Sequence, residues 1–597
     1  MAATFERART RRALLWLAAA KIVLVVLVFD PRGDVPFDLP KSLASRASEW
    51  ATVAVLLVAL LAYGPRLVPR ARLHWAVAWL AAVSAVAAIF AAEPYVAVFG
   101  EVDRYLGLTY LADMIVLYLA VAVAVRSDRD VTFLLGAVGT AGIVTSGYAV
   151  LQTLGADPFA WAVDPRGRPF ATFGNPDQLG HFLSVLFGLA FGAAIATTRG
   201  RRKAVALAGV LAVVGIAAVV ATRGTLVGIS AVLAGSLVDR RPTRRVALVA
   251  TAATLVLGAM LLATPLGQRA IGTVQAGTLP DRIALYGIAV RATLARPLFG
   301  YGPDNFRAAF VEHRTAESLP ILSAGPQTSA HDWLLDASAT TGLVGLAALL
   351  ALVGLGTLEL RSLARERPGI GLPLLFGWLA YWANALVSVG SIAVGWYPWL
   401  AIGAVVALRA APSELPVRQV PRWVGPAIAI VTVVAIATGT RAFLANQEAW
   451  AATEALHFGD TNAAIASADR AAARDGGRAG NWNRLGLAFE AEQRWAEAAV
   501  AYRAATTKER HEAVYWANLA RALTRIALTH AANSEDEAIA AASEAVRTDP
   551  NAPLGHIVLA EVATAFGRCA IARDEAARAA VLVSGQSDLV ARAAACR

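Results

Sequence analysis

The sequence predicts an all-α protein: a polytopic bundle of membrane helices, about 13 spans, with a large outer loop and a C-terminal helical-repeat solenoid. Three observations carry this. Apolar runs of about 20 residues, the length that crosses a hydrocarbon core, recur from residue 13 to residue 441. A polar, Arg- and Gly-rich insert at 265–332 interrupts them. Residues 442–597 are Ala-rich, helical in pattern and free of long apolar runs.

The spans are expected near 13–29, 50–63, 73–92, 106–125, 131–151, 179–197, 204–221, 225–238, 246–264, 333–358, 371–389, 393–408 and 423–441. The first is not a cleavable signal peptide, because no small-residue cleavage site follows it and further spans come at once. The net charge of +11 does not indicate nucleic acid. The basic excess sits in alternate short loops: Arg66/Arg70/Arg72, Arg126/Arg129, Arg199/Arg201/Arg202/Lys203, Arg240/Arg241/Arg244/Arg245, Arg361/Arg365/Arg367 and Arg409/Arg418/Arg422, together with the N-terminal Arg7 to Arg12. With 13 spans all of these fall on one side, and positively charged loops mark the cytoplasm. Segments 93–105, 152–178 and 265–332 then face outward, as does everything after Arg441. The expected division is therefore 1–441 for the membrane domain and 442–597 for an extracytoplasmic repeat domain.

Within the tail, Trp482, Leu485, Gly486, Phe489, Ala498, Tyr502 and Ala505 have the spacing of a helix pair that places small residues where the helices cross. The pattern resembles the tetratricopeptide repeat. A second copy begins 34 residues on with Trp516, Leu519, Ala520 and Leu523; an insertion displaces its second helix, which carries Ala538, Ala542 and Ala545. Weaker copies precede (Ala464, Ala468, Ala471) and follow (Leu559, Ala560, Ala572, Ala579). The only two cysteines, Cys569 and Cys596, cannot build a Cys/His metal site. An antiparallel hairpin turning near Ser584–Gly585 would join their sulfurs. That predicts a disulfide, which requires an oxidising compartment; two unrelated thiols are the alternative.

The insert carries the chemistry-bearing residues. Pro280–Pro297 reads as a short helix on or near the membrane, with Asp281 as N-cap and an apolar stripe of Ile283, Tyr286, Val290 and Leu294. Arg282 lies in its first turn, where free N–H groups already favour an anion and a guanidinium grips phosphate through paired hydrogen bonds. The same Arg also suits snorkelling to lipid headgroups. Ser329-Ala330-His331-Asp332 reads as a capping box that opens the tenth span, with Ser329 as cap and His331 in the first turn. There the helix dipole favours a neutral imidazole, fit to act as a general base; an interfacial histidine with a structural hydrogen bond is the alternative. Asp304, in the Gly-rich turn after Pro297, reads as turn-forming. Three further outward segments, GEVDRYLG, RPFATFGNP and TRGT, put Arg104, Arg168 and Arg223 on the face that holds Arg282 and His331. Arg223 occupies a very short turn, and a charge at such depth usually faces a cavity.

The series GEVDRYLG, RPFATFGNPDQLG, TRGTLVG, RIALYGIAVRATLARPLFGYGPDNF and HDWLLDASATTGLVG resembles the O-antigen ligase and polymerase superfamily over most of residues 70–410. The resemblance implies an integral membrane glycosyltransferase. Such enzymes move a glycan from undecaprenyl pyrophosphate to an acceptor hydroxyl on the outer side of the bacterial cytoplasmic membrane. It further implies His331, Arg282 and Arg223 as the catalytic set. Arg104, Arg168, Asn175 and Tyr286 are the substrate-binding candidates on the same face; no Asp-x-Asp pair or His/Glu cluster in an outer loop offers a metal site, and no cofactor is expected. The chain departs from the usual His-Asn pair with His331-Asp332, a carboxylate that raises the pKa of the base and opposes the dipole. The implied partners are the polyprenyl-pyrophosphate-linked glycan, a glycan, lipid or protein acceptor, membrane lipid, and a protein docked on the repeats. A repeat-unit polymerase of the same superfamily, a transporter and a non-catalytic repeat scaffold remain as alternatives.

Overall fold

A computed structural model of the protein describes every residue except Met1, Asp103, 198–199, 239–251, 253–277, 316–325, 411–419, Arg422, 531–533, Ser584 and Arg597. The ninth expected span (246–264) and parts of the large loop lie outside the described residues. Among the described residues all regular structure is helical. The membrane part contains α1 (Ala2–Leu27), α2 (Asp38–Tyr63), α3 (Leu73–Ile89), α4 (Pro94–Phe99), α5 (Leu108–Ala124), α6 (Asp128–Thr153), α7 (Pro176–Ala196), α8 (Arg201–Val220), α9 (Arg223–Val238), α10 (Thr278–Ala295), α11 (Phe306–His313), α12 (Trp333–Glu366), α13 (Pro368–Ala385), α14 (Tyr397–Arg409) and α15 (Val424–His457). Twelve of the expected spans coincide with one of these helices. Among the described residues six helices (α2, α6, α7, α8, α12 and α15) are long and apolar enough to cross a membrane. Helices α3, α5, α9 and α14 are shorter and apolar.

The bundle centres on α7, buried on most of its surface from Gln178 to Ala194. Small residues permit this. A Cβ on Gly188 would stand 2.5 Å from the Phe376 carbonyl oxygen, and one on Gly192 would stand 2.6 Å from the Pro373 backbone, so α7 meets α13 backbone to backbone. Such contact is how helices gain attraction in a medium as apolar as their own side chains. One end of the bundle collects the described basic segments around Arg11, Arg367 and Arg409. Arg11 faces Asp130 (3.9 Å), Arg367 faces Asp128 (3.1 Å) and Arg409 faces Glu366 (3.1 Å).

The insert is held to the other end by a break in α12. Gly342 has φ +72°, and a Cβ there would meet the Leu298 carbonyl oxygen at 2.2 Å, so only glycine fits. The break frees backbone groups, and the loop after α10 takes them: Leu343 N–H donates to the Pro297 carbonyl (2.7 Å), and Tyr301 and Gly302 N–H groups donate to the carbonyls of Ala339 (3.0 Å) and Thr340 (2.8 Å). Helix α10 starts at Thr278, so Asp281 lies inside its first turn and is not the cap expected. Its buried face is Leu285, Ile288, Ala289 and Ala292. The expected stripe is largely outward-facing, with Ile283, Val290 and Leu294 exposed.

Helix α15 runs without interruption through Arg441 into the tail. Eight further helices follow: α16 (Thr461–Arg474), α17 (Ala479–Ala491), α18 (Trp495–Lys508), α19 (Ala513–His530), α20 (Ser534–Thr548), α21 (Pro553–Ala565), α22 (Cys569–Leu582) and α23 (Ser587–Ala594). They pair as the repeat spacing predicts. Ala464, Ala468, Ala498, Ala505, Ala538, Ala542, Ala560, Ala572 and Ala579 are fully buried at the crossings, and a Cβ on Gly486 would stand 2.4 Å from the Tyr502 ring. Cys569 and Cys596 are disulfide-bonded.

The tail docks on the end opposite the basic loops. Arg478 and Arg484 reach Asp34 in the α1–α2 loop (3.0 and 2.6 Å). Arg307 meets Glu512 (3.0 Å) and His511 meets Glu93. Arg314 donates to Asp549 from Nε (2.8 Å) and Nη2, with both side chains buried. Breaking one side of a buried pair leaves an uncompensated charge, worth about 3–5 kcal/mol. Arg314→Ala is therefore expected to lower the thermal midpoint of the full chain and to expose the tail to proteolysis. The double variant Arg314→Met/Asp549→Leu is expected to lose less by the same two measurements.

Candidate active site

The loop after α11 returns to the bundle at Thr328 and enters α12 through a tight brace. Asp332 is the N-cap of α12, accepting from the N–H groups of Leu334 (2.8 Å) and Leu335 (3.1 Å). His331 lies before the cap, outside the helix, with φ +58°. The capping box expected from the sequence does not form. Ser329 Oγ accepts from the His331 N–H (3.0 Å) and donates to Asp336 (2.6 Å), which also accepts from the Ala330 N–H (2.6 Å). Ser329 thus fixes a left-handed histidine, a conformation that side chains other than Gly adopt rarely and that recurs at functional sites.

Arg282, in the first turns of α10, donates from Nη1 to the carbonyls of His331 (3.3 Å) and Val387 (3.1 Å). It therefore joins α10, the α12 entrance and the loop after α13. Tyr286 lies one turn further along α10, half-buried. Arg223 is exposed as the first residue of α9. The turn before it is compressed: Ala221 has φ +55°, and the Thr222 and Thr225 hydroxyls bond at 2.6 Å. A Cβ on Gly180 of α7 would stand 2.1 Å from Thr222 Oγ1, so this turn sits directly on α7. The charges of Arg282, Arg168 and Asp177 all act on Arg223.

The sequence-predicted set thus divides. Arg223, Arg282, His331 and Arg168 gather around one space. Arg168 is half-exposed and carries a carboxylate with it, Asp177 at 2.6 Å. Asn175 spends its amide oxygen as the N-cap of α7, accepting from the Asp177 N–H (2.8 Å). Arg104 is a brace. It is 7% exposed, faces Asp304 (3.4 Å) and Asp336 (3.8 Å), and donates to the Thr328 carbonyl. Two carboxylates already compensate its charge, which leaves little for a substrate anion. Asp304, expected to form a turn, does more: its Oδ2 accepts from the N–H groups of Glu101 (2.8 Å) and Leu106 (3.0 Å), tying the insert to the GEVDRYLG segment. No motif points to Asp177, Asp304 or Asp336 as site residues. Only the carboxylates beside Arg104 and Arg168 do so.

The imidazole of His331 is held neutral. Burial and then the nearby Arg282 and Arg104 cations lower its pKa to about 4; Asp177 opposes them. Asp332, the carboxylate expected to raise the pKa, is occupied in capping α12. The arrangement offers a neutral imidazole beside the Arg282 guanidinium, which lies in turn within electrostatic range of Arg223. Among the described residues no group of three His, Cys, Asp or Glu side chains is placed to hold a metal ion.

Residues 179–350 match the family model described as O-antigen ligase. The matched region holds Arg223, Arg282 and His331, and it supports glycan transfer of the ligase or polymerase kind in general. No curated protein matches the chain. Among solved structures, similar ones include a thermophilic TPR protein of Thermus thermophilus (21% identity over 29% of this chain and 93% of that one, TM-score 0.22). Others are the TPR2AB domain of yeast Sti1 in its pHSP90 complex (19%, 28% and 79%, 0.18) and the APC/C hetero-tetramer Cut9–Hcn1 (11%, 81% and 75%, 0.23). At TM-scores this low the repeat assignment rests on the chain's own helix pairs.

The electrostatics give a direct expectation. In the full chain, NMR titration of the ring labelled at His331 should place its pKa near 4, below the ordinary 6.5. Arg282→Ala removes a cation and should move it upward.

Proposed function

We propose that the protein is a membrane glycosyltransferase that moves a glycan from a polyprenyl pyrophosphate carrier to an acceptor hydroxyl at the end of the bundle where the repeats dock. One observation carries the reading: Arg282 bonds to the backbone of His331 and lies in electrostatic range of Arg223. Two cations and a neutral base therefore share one space, although they are far apart in sequence.

Each group has a role set by its chemistry. The acceptor oxygen attacks the anomeric carbon and its proton passes to His331. The bond from that carbon to the phosphate oxygen breaks on the opposite side, so the sugar inverts. The lipid pyrophosphate leaves with its growing charge on Arg223 and Arg282. Donors fixed before the reaction stabilise such charge without reorganisation. The low pKa of His331 fits this sequence. A pyrophosphate on Arg282 cancels the cation that depresses the imidazole, so the base strengthens when donor binds. Undecaprenyl as the carrier, the outer face of the bacterial cytoplasmic membrane as the location and an extracytoplasmic repeat domain belong to this proposal. The disulfide in the tail and the docking of the tail on the His331 side support them. Transfer to a preformed acceptor and polymerisation of repeat units are both served by this geometry.

Transfer from lipid-linked glycan in membranes is expected to fall roughly 10²–10⁴-fold in His331→Ala, and by a similar factor in Arg282→Ala or Arg223→Ala. Full transfer by well-expressed His331→Ala removes the mechanism. Inorganic pyrophosphate added to the wild-type chain should raise the His331 pKa, and should fail to do so in Arg282→Ala. Deleting the gene separates the two products: long lipid-linked chains accumulate if the protein is a ligase, single repeat units if it is a polymerase.

A further inference from the structure

A cavity of about 260 Å³ opens beside Trp333, two residues after His331, and is lined by α3, α5, α7, α12, α13 and α14. One wall is aromatic. Trp333 and Trp382 have ring centroids 4.8 Å apart, Trp382 and Tyr381 5.1 Å, and Tyr381 and His181 4.6 Å. Three polar atoms on that wall are buried with no hydrogen-bond partner in the protein: Trp333 Nε1, Trp382 Nε1 and His181 Nδ1. A buried polar group without a partner is destabilising, so three together on one cavity point to a polar occupant. The far wall is Arg104 between Asp304 and Asp336, one cation against two carboxylates.

These features select a ligand class. A pyrophosphate would find the one cation, Arg104, already paired with two carboxylates, and its natural place is at Arg223 and Arg282. A polyprenyl chain would leave the indole and imidazole groups unsatisfied. The volume falls just below the roughly 300–1,000 Å³ of pockets that hold drug-sized ligands, enough for one ring. An uncharged ring with several hydroxyls suits the lining, since hydroxyls accept from indole N–H and donate to imidazole, while the ring faces pack on the aromatic planes and on the apolar side chains of Leu80, Leu111, Leu349 and Leu352. We infer that this cavity is the acceptor subsite and takes a neutral, hydroxylated ring of the acceptor glycan or glycolipid. The inference rests on the transferase reading for the word acceptor; the binding of a neutral sugar ring stands independently of it.

The test uses the full chain in lipid nanodiscs and two readouts. Saturation-transfer NMR is run with octyl β-glucoside, octyl β-galactoside, octyl N-acetyl-β-glucosaminide and octyl phosphate, each below its micellar concentration. The expected result is enhancement of sugar-ring protons for at least one glycoside. It should persist in His331→Ala and weaken in Trp382→Phe, which keeps the ring and loses the N–H. Enhancement for octyl phosphate alone, for the octyl chains alone or for none of the four overturns the inference. In the second readout, Trp382→Phe and Trp333→Phe are assayed for transfer with each substrate varied in turn. The expected result is a rise of about tenfold in the KM for acceptor, with the KM for donor unchanged. A rise confined to the donor KM, or no change in either, overturns the acceptor assignment. Absence of transfer by the wild-type chain fails the transferase reading alone, because the NMR arm still decides whether the cavity holds a sugar.

Discussion

The guanidinium of Arg282 is the joint on which the site depends. It donates to two backbone carbonyls that belong to different parts of the fold, His331 at the entrance of α12 and Val387 after α13. Neither contact uses a side chain of the partner residue, so both report backbone position. The bonds hold only if α10, the α12 entrance and the α13–α14 loop sit at fixed mutual depth. The break of α12 at Gly342 sets that depth, because the loop following α10 pairs with the backbone that the break exposes. A glycine well beyond the candidate base in the chain thus determines where the candidate cation can reach.

Much of the membrane fold was legible because hydrocarbon imposes a simple rule: backbone polar groups must be satisfied within the segment, and the segment must be apolar. Twelve of the expected spans meet a helix for this reason. The repeats were legible because a crossing tolerates only small residues, and alanine and glycine recur where the helices touch. What failed was local choice between equivalent chemistries. Ser329 and Asp332 are both good N-caps three residues apart, and the motif reads as a box with either one as cap. The structure uses Asp332 as the cap and Ser329 as the support of a left-handed His331. That choice depends on Asp336, one turn into the helix, and no spacing rule brings it in. Asp281 shows the same limit: a good capping residue is overruled when the helix has already begun at Thr278.

Arg104 is the clearest case of a correct location with a different role. Sequence places it on the right face. Only coordinates show that Asp304 and Asp336 flank it, because Asp304 is remote in chain order and looks like an ordinary turn residue. Buried charges of this kind fix geometry more than they add stability. Here they tie three segments, GEVDRYLG, the Gly-rich turn and the His331 brace, into one unit.

The same pairing divides the space around His331 into two electrostatic halves. Toward Arg223 and Arg282 the cations dominate, although Asp177 opposes them at both Arg223 and His331. Toward Arg104 the one cation is already paired with two carboxylates, Asp304 and Asp336. An imidazole between such halves separates a charged reactant from an uncharged one without needing to recognise either. The pyrophosphate is drawn to the cationic half by its own charge. A hydroxylated ring avoids no field and is held by indole and imidazole hydrogen bonds in the other half. Attack then crosses His331 from the neutral half to the cationic half, and the negative charge that develops moves toward the cations already in place. Exchanging the two substrates would send that charge toward Asp304 and Asp336, so the side each substrate takes follows from where the carboxylates sit.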